Sequence, residues 1–265
     1  MSLTLGLGLG SGQQAAGTPA APSYHPDDDL LGIECYLIAD ADDVALTGSL
    51  VDEWQNRGTV DLIARDEAAG YRPTWDDDYA DGFPGIICDY NAVGPVYQYL
   101  VGRNGADSAN VACSTVHTVS SKFGIVVVTP LAPARTSAGA GNVFGDNLGF
   151  WGFGIYSNAG TPKAEIFNQP AGINYAETTC TVAARQVIAY RHTGGVFSVS
   201  VNGGTWADVT SGNSGGLGIR IQWAERYDGT TGDVVFHLAA ASATEIGGAG
   251  EFDNVISRLC EWAGV

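Results

Sequence analysis

The stretch from residue 182 to residue 209 is the part of the sequence that most constrains the fold. Phe197, Val199 and Val201 alternate with serines, which places the apolar side chains on one face of a half-buried antiparallel strand. A Gly-Gly pair before this strand and Asn202-Gly203 after it predict two hairpin turns, the second of type I′. Because two or three strands bury too little apolar surface to be stable alone, this meander requires a facing sheet from distant segments.

The rest of the chain fits such a sandwich. Of its 265 residues, 45% are hydrophobic, 15% are charged and 37 are glycine, a composition typical of many short strands joined by tight turns. The β-branched run at residues 122–129 predicts a strand buried on both faces. Near the C-terminus the period becomes helical, which predicts one amphipathic helix over residues 251–262 that closes an end of the sandwich; its apolar positions are Phe252, Val255, Ile256, Leu259 and Cys260.

Charge and cysteine content exclude several classes of protein. The net charge of −17 repels phosphate backbones and anionic headgroups, so we expect neither nucleic acid nor a membrane as a partner. The five cysteines are scattered without a Cys-x-x-Cys pair, which predicts buried thiols rather than disulfides or a zinc site. No lysine or arginine precedes Arg57, so we expect no signal peptide and assembly in a cytoplasm.

The first 26 residues differ from the rest in composition. They are rich in Gly, Ala and Pro, and apolar side chains alternate at Leu3, Leu5, Leu7 and Leu9. Composition alone is equally compatible with a disordered tail. Strand spacing with interleaved glycines favours an arm that adds to the sheet of a neighbouring chain. We therefore predict an anchoring arm at residues 1–26, a sandwich at residues 27–265, and an oligomer or a larger assembly.

The order of these pieces resembles a known family. First comes an Asp-rich turn, followed by a hydrophobic residue, a spacer, Trp54 and the turn at Gly58. A Pro-Thr step then precedes a strand with a Gly-x-Pro motif. Later in the chain, Val201-Asn-Gly-Gly204 is followed by an Asp-Gly turn and a terminal helix. This order is similar to that of the concanavalin A-like, laminin-G-like jelly-roll domains of bacteriophage and phage-like virion proteins, over about residues 28–265. The sequence departs from that family at residues 55–58 and 222–226.

The resemblance implies an all-β, concanavalin A-like jelly-roll sandwich with a short C-terminal helix and an extended N-terminal arm. It also implies a non-enzymatic virion component, of the head spike, tail fibre or decoration type, that attaches to host surface polysaccharide and is assembled in the bacterial cytoplasm. Two alternatives stay open: a glycoside hydrolase of the same fold, and a pure assembly protein without an external ligand.

Clustered carboxylates suggest one metal-binding candidate. Asp76, Asp78 and Asp81 lie around a tight turn and suit a hard cation such as Ca²⁺, although their spacing does not match an EF-hand loop. A solvated acidic loop is the simpler interpretation. The same two interpretations apply to the aspartates of residues 40–43.

Aromatic residues near loops suggest a carbohydrate site. Sugar binding requires exposed ring faces beside polar groups, and the candidates are Trp75, Trp206, Trp223 and Tyr227; packing under a loop is the alternative. Trp54 and Trp151 are predicted to be core residues. Glu251 and Asp253 have the spacing of a glycosidase acid pair, but Ile256 replaces the third acid, so we interpret them as first-turn helix carboxylates and predict no catalytic residues.

Overall fold

The computed structural model describes residues 24–66, 72–80, 82–88, 90–91, 96–131, 142–146, 151–158, 161–168, 174–210, 217, 220–224 and 234–265. Almost all of the regular structure in these ranges is β. Its elements are, in order, α1 Asp27–Leu30, β1 Cys35–Ile38, β2 Val44–Thr47, β3 Leu50–Gln55, β4 Ile63–Arg65, β5 Thr74–Ala80, β6 Phe83–Cys88, β7 Tyr90–Asn91, β8 Val96–Tyr97, β9 Leu100–Arg103, β10 Lys122–Pro130, β11 Asn142–Asp146, β12 Trp151–Asn158, β13 Thr161–Asn168, β14 Asn174–Thr179, β15 Gln186–Thr193, β16 Val196–Val201, β17 Ala207–Thr210, β18 Ile221–Trp223, β19 Val234–Ser242 and α2 Phe252–Ala263.

The strands form two antiparallel layers. In sheet A the order is β17-β16-β15-β10-β19, and the far edge of β19 pairs with β1 along one half and with β6 along the other, β6 being followed by β5. In sheet B the order is β14-β13-β12-β11-β18-β9-β4-β3-β2. A single pairing of Leu50 with Thr74 joins β3 to β5 where the sheets meet. This is the predicted jelly-roll sandwich, and the fold prediction is confirmed.

The inter-sheet core is aromatic and aliphatic. Trp54 and Trp151, both predicted as core residues, are fully buried in it. The indole nitrogen of Trp54 donates to the carbonyl of Ile38 at 2.7 Å, so its one polar group is satisfied. Gly124 of β10 is required by close packing, because a β carbon there would collide with the ring of Tyr190 on β15.

Strand β10 is buried on both faces, as predicted. Val126 and Val128 point into the inter-sheet core, whereas Phe123, Ile125 and Val127 point to the opposite face of sheet A. The apolar side chains of β10 point alternately to the two faces of sheet A, so both faces must be covered to keep them from water. The outer face of sheet A therefore requires a second layer.

Helix α2 is that second layer. Its apolar side, which includes Phe252, Val255 and Leu259, packs on the outer face of sheet A, and the rings of Phe252 and Phe123 meet edge to face at 5.3 Å. The helix itself is confirmed within one residue. The prediction that it closes an end of the sandwich is wrong, because the second apolar face of β10 and its neighbours draws the helix across the sheet.

The meander at residues 182–209 is confirmed as β15, β16 and β17, with Phe197 and Val199 in the inter-sheet core. Gly194 and Gly195, both at positive φ, make the predicted two-residue turn. The second turn is wider than predicted. Asn202 and Gly203 have positive φ, but the register of β16 with β17 begins at Val199 and Ala207. The Asn202 side chain instead accepts the amide of Val187 at 2.8 Å.

The predicted anchoring arm lies outside the described residues up to residue 23, so its contacts stay a prediction. The five cysteines are buried thiols, as predicted: Cys35, Cys88, Cys113, Cys180 and Cys260. No helix within the described ranges is long and apolar enough to span a membrane.

Burial also makes three histidines sensitive to acid. Burial is the main cause that lowers the pKa of His117 to about 3 and the pKa values of His192 and His237 to about 4. The unfolded chain therefore takes up protons below a pH of about 6.5 that the folded chain does not bind. The free energy of unfolding therefore has its full histidine contribution above pH 6.5, and this contribution is lost as the pH falls towards 4.

We expect the free energy of unfolding, measured by urea titration, to be smaller at pH 5 than at pH 7.5. His117 alone should account for about 2 kcal/mol of the difference. His117→Gln should reduce the pH dependence, whereas His25→Gln, at an exposed position, controls for the loss of any histidine. Equal pH dependence in His117→Gln and the wild type would show that the protons bind elsewhere.

Candidate functional site

A β-bulge in β19 lies beside a cavity at the protein surface. Val127 of β10 pairs with Leu238, but Val128 pairs with Phe236, so His237 is the extra residue. Phe236 points into the inter-sheet core and Leu238 packs on the helix side. Bulges re-aim side chains and interrupt regular pairing. The bulge is also the point at which the outer edge of β19 changes partner, from β1 to β6.

His237 holds the two partner strands together at this point. Its carbonyl accepts the amide of Ala39 at 2.8 Å, and its ring Nδ1 lies 2.8 Å from the carbonyl of Pro84. A carbonyl only accepts, so Nδ1 carries the proton and Nε2 accepts from the Thr129 hydroxyl at 2.9 Å. Burial, helped by the nearby charge of Arg185, lowers the pKa of His237 to about 4. The ring is therefore neutral at pH 7.

A cavity of about 290 Å³ opens at this junction, and we call it the bulge pocket. It is lined by the end of β1 with Ala39 and Asp40, by residues 82–84, by His25, by His237 and by Trp262. Its volume is close to the lower end of the range for small-molecule sites.

One wall of the bulge pocket is aromatic. Phe83 comes from β6 and the half-buried Trp262 from the last turn of α2, and their rings meet edge to face at 5.0 Å. The ring of His237 lies 6.2 Å from that of Phe83. The guanidinium carbon of Arg185 lies 3.6 Å from the Phe83 ring centroid, a cation–π contact. Such a wall offers flat apolar faces to a ligand.

The other wall of the pocket is acidic and rigid. Arg57 forms ion pairs with Asp43 at 2.7 Å, Asp27 at 3.1 Å and Asp40 at 3.2 Å, so it holds α1 and the turn after β1 in place. Burial opposes ionisation of Asp27, but hydrogen bonds from Tyr36 and Arg57 keep its pKa below the ordinary value. Asp40 lines the pocket with 46% of its side chain exposed. It offers carboxylate oxygens to a ligand.

The structure does not bring the predicted carbohydrate residues together. Trp223 is fully buried against Phe144 in the inter-sheet core, which corrects the prediction of an exposed ring. Trp75 is half-buried and packs against the same core. Tyr227 lies outside the described residues.

Trp206 packs against neighbouring side chains, which is the alternative that the sequence left open for the loop aromatics. Its ring stacks on Phe252 of α2 at 5.9 Å, the guanidinium of Arg191 lies 4.2 Å from its centroid, and its indole nitrogen donates to Asp253 at 3.1 Å. Because both neighbours contact its ring, Trp206 anchors the start of α2 to sheet A. This corrects its assignment as a stacking platform for sugar.

Two of the predicted calcium residues, Asp76 and Asp78, belong to strand β5 of the β5–β6 hairpin. The carboxylate of Asp76 accepts the amide of Asp78 at 3.1 Å, and that of Asp78 accepts the amide of Gly82 at 2.9 Å. Asp81 lies outside the described residues. In the described ranges no three His, Cys, Asp or Glu side chains are grouped to hold a metal. Of the aspartates of residues 40–43, Asp40 and Asp43 form ion pairs with Arg57. A metal at the hairpin stays a prediction.

Glu251 and Asp253 are helix residues, as interpreted from the sequence. Glu251 occupies the N-cap of α2 and Asp253 its first turn, so their side chains do not alternate on a strand.

The sequence analysis missed a different pair of carboxylates. Glu165 of β13 and Glu177 of β14 are direct cross-strand partners, and each follows or precedes residues of the inter-sheet core, so both point to the outer face of sheet B. Only the strand register reveals this pair.

The bulge-pocket residues Phe83, His237 and Trp262 were also missed. The sequence analysis used the Gly-x-Pro motif at residues 82–84, which contains Phe83, only as evidence for the fold. It placed Trp262 in the predicted C-terminal helix and assigned it no function. Nothing in the sequence around residue 237 signals a bulge, because a bulge is a property of two paired strands.

Comparisons with known proteins concern the fold. No protein-family model and no curated protein matches the sequence. Among solved structures, the binding domain of botulinum neurotoxin serotype D has a TM-score of 0.53 at 8% identity, over 89% of this chain and 52% of that chain. Domain 4 of a GH43 arabinanase from Geobacillus stearothermophilus, in complex with arabinotriose, has a TM-score of 0.47 at 10% identity, over 88% of this chain and all of that domain. Trypanosoma rangeli sialidase has a TM-score of 0.46 at 10% identity, over 86% of this chain and 32% of that chain.

These findings correct one expectation. The prediction that the chain is not an enzyme is contradicted, since the solved structures that it matches include one domain of a GH43 arabinanase and a sialidase. The fold and the pocket define the class of the protein: a jelly-roll β-sandwich that carries an aromatic-lined pocket at a strand bulge.

Proposed function

We propose that this chain is a carbohydrate-binding β-sandwich and that the saccharide occupies the bulge pocket. The observation that carries the proposal is the pairing, within one cavity, of the aromatic wall of Phe83 and Trp262 with the half-exposed carboxylate of Asp40. A sugar ring has apolar C–H faces and hydroxyl edges. Rings bind the first and carboxylate oxygens accept from the second.

The rigidity of the pocket favours the same function. Asp40 is held by Arg57, and His237 is held between the Pro84 carbonyl and the Thr129 hydroxyl, so a ligand would not have to order these side chains. Preformed sites lose less conformational entropy on binding. A cavity of about 290 Å³ has room for a terminal sugar unit rather than a long chain.

Trp262→Ala should weaken binding of a bacterial surface polysaccharide about tenfold in Kd, because loss of a stacked ring removes on the order of 1.4 kcal/mol. Titration calorimetry against a panel of purified polysaccharides measures this effect. Trp206→Phe is the matched control: it removes a tryptophan on the same side of sheet A but keeps a ring that can stack on Phe252 of α2, and it should leave Kd unchanged. Wild-type binding by Trp262→Ala would exclude the bulge pocket, and the absence of binding to the whole panel would contradict the function.

For the setting of this domain, we propose an attachment component of a phage or phage-like particle. Support comes from the family resemblance of residues 28–265 and from the strand-like leucine spacing of the first nine residues. In this proposal residues 1–26 bind a neighbouring particle protein by strand addition.

Deletion of residues 1–23 should leave a folded domain that no longer incorporates into particles. Circular dichroism checks the fold, and sedimentation of assembled particles checks incorporation. A control with Leu3, Leu5, Leu7 and Leu9 replaced by serine keeps the length of the arm and should fail in the same way. Normal incorporation of both variants would contradict anchoring by the arm.

Glycoside hydrolysis is a second candidate function, favoured by Glu165 and Glu177. Directly opposed residues on antiparallel strands have Cβ atoms roughly 5 Å apart, which is compatible with the carboxyl separation of about 5 Å in retaining glycosidases. Glu165 is fully buried, and Lys163 lies 3.7 Å from the carboxylate of Glu177.

If the pair is catalytic, Glu165→Gln and Glu177→Gln should each lower the rate of reducing-end release by about 100-fold or more. Glu53→Gln is the matched control, since Glu53 is a carboxylate on β3 that pairs with Arg65 at 3.6 Å. Unchanged rates in both variants, or no release from any polysaccharide by the wild type, would exclude this candidate.

A further inference from the structure

The bulge pocket presents a negative charge to a ligand. Among its described lining residues, Asp40 is the only aspartate, glutamate, lysine or arginine. The ring of His237 is neutral, as described above, and Nδ1 of His25 accepts a backbone amide at 3.2 Å, so that nitrogen carries no proton either. Arg185 contacts the Phe83 ring but lines a different cavity. The charge in the described lining is therefore that of one carboxylate.

The carboxylate of Asp40 has one oxygen engaged and one available. Its Oδ2 accepts from Nη2 of Arg57 at 3.2 Å, whereas its Oδ1 has no hydrogen-bond partner in the part of the chain that the structure describes. Arg57 also pairs with Asp27 and Asp43, so one guanidinium serves three carboxylates. Two negative charges of this group of four side chains are thus uncompensated.

The ionisation of Asp43 is consistent with this excess of negative charge. Burial raises the pKa of its carboxyl, and the charges of Asp40 and Asp27 raise it further, against the opposing effect of the ion pair with Arg57. One arginine therefore does not fully stabilise the three carboxylates. A second cation beside them would lower the electrostatic energy of the group.

The aromatic wall of the pocket also favours a cation. The face of a tryptophan ring attracts an ammonium group more strongly than that of any other aromatic side chain. Phe83 already contacts the guanidinium of Arg185, whereas no cation of the described residues lies against the ring of Trp262. Trp262 and Asp40 line the same cavity of about 290 Å³, so a ligand the size of one sugar unit can contact both.

We propose that the sugar in the bulge pocket is an amino sugar whose free ammonium group binds Oδ1 of Asp40 beside the ring of Trp262. The inference rests on the proposed carbohydrate-binding function and adds the class of sugar. An ammonium group has three N–H donors and the positive charge that this wall lacks. Charge-assisted hydrogen bonds are about twice as strong as neutral ones, so the carboxylate distinguishes an ammonium from a hydroxyl at the same carbon. The net charge of −17 attracts a cationic glycan from a distance.

The first experiment is a glycan array, probed at pH 7 with the full chain. Oligosaccharides that end in a free 2-amino sugar are printed beside two neutral forms, one with a hydroxyl at that carbon and one with the amine acetylated. We expect at least about tenfold stronger binding to the amino form than to either neutral form. Equal binding of the amino form and a neutral form would overturn the amino-sugar inference and leave the proposed function intact. No binding to any glycan would overturn both.

The second experiment assigns the preference to Asp40. Asp40→Asn keeps the shape of the side chain and removes its charge, so it should weaken the amino glycan about tenfold and change the hydroxyl form less than about twofold. Asp42→Asn is the matched control, because it makes the same change in net charge at an exposed position outside the described lining. It should leave both glycans unchanged.

Two outcomes of that experiment would overturn the site. Equal weakening of the amino glycan by Asp40→Asn and Asp42→Asn would show a non-specific attraction to an acidic protein. Equal loss of both glycans in Asp40→Asn, in a variant with wild-type circular dichroism, would show that the carboxylate does not select for charge.

Competition separates an amino sugar from other ammonium ligands. Free glucosamine should displace the chain from the amino glycan, whereas lysine amide at the same concentration should not, because it lacks a sugar ring for the aromatic wall. Equal displacement by the two compounds would show recognition of the cation alone and would overturn the class of ligand.

Discussion

The pairing of β10 with β19 in the middle of sheet A is the constraint on which the rest of the structure depends. Both strands are buried on both faces, so their apolar side chains require two covers. On β10, sheet B covers Val126 and Val128, and helix α2 covers Ile125 and Val127 on the opposite face. Since hydrophobic burial is the main favourable contribution to folding, the sandwich and the helix have the same cause.

The same pairing contains the irregularity that makes a site. A bulge at His237 gives β19 one residue more than β10 over this stretch, and the outer edge of β19 divides there between β1 and β6. The ends of these strands cannot close over the bulge, so a pocket remains between them. Trp262 reaches the pocket only because α2 lies across sheet A. The position of the helix thus determines the aromatic wall.

Local patterns predicted the regular part of this fold correctly. Alternation along Phe197 and Val199 identified a half-buried strand, and helical spacing located α2 within one residue. Both are short-range properties of the backbone period.

The loop aromatics were harder to assign, because the exposure of a ring depends on what packs against it. Trp223 contacts Phe144 from a distant strand, and Trp206 contacts Phe252. Proximity to a loop in the sequence did not predict an exposed face.

The sequence by itself determined the class of fold, because the alternation of apolar and polar residues, the turn residues and the helical spacing are properties of each element's own sequence. It also determined the net charge of −17, from which we expect no nucleic-acid partner. The tertiary structure alone decided the site. Its walls come from Asp40, Phe83, His237 and Trp262, which are far apart along the chain, and the bulge that separates β1 from β6 exists only in the register between β10 and β19. Register arises from pairing, and no single segment encodes it.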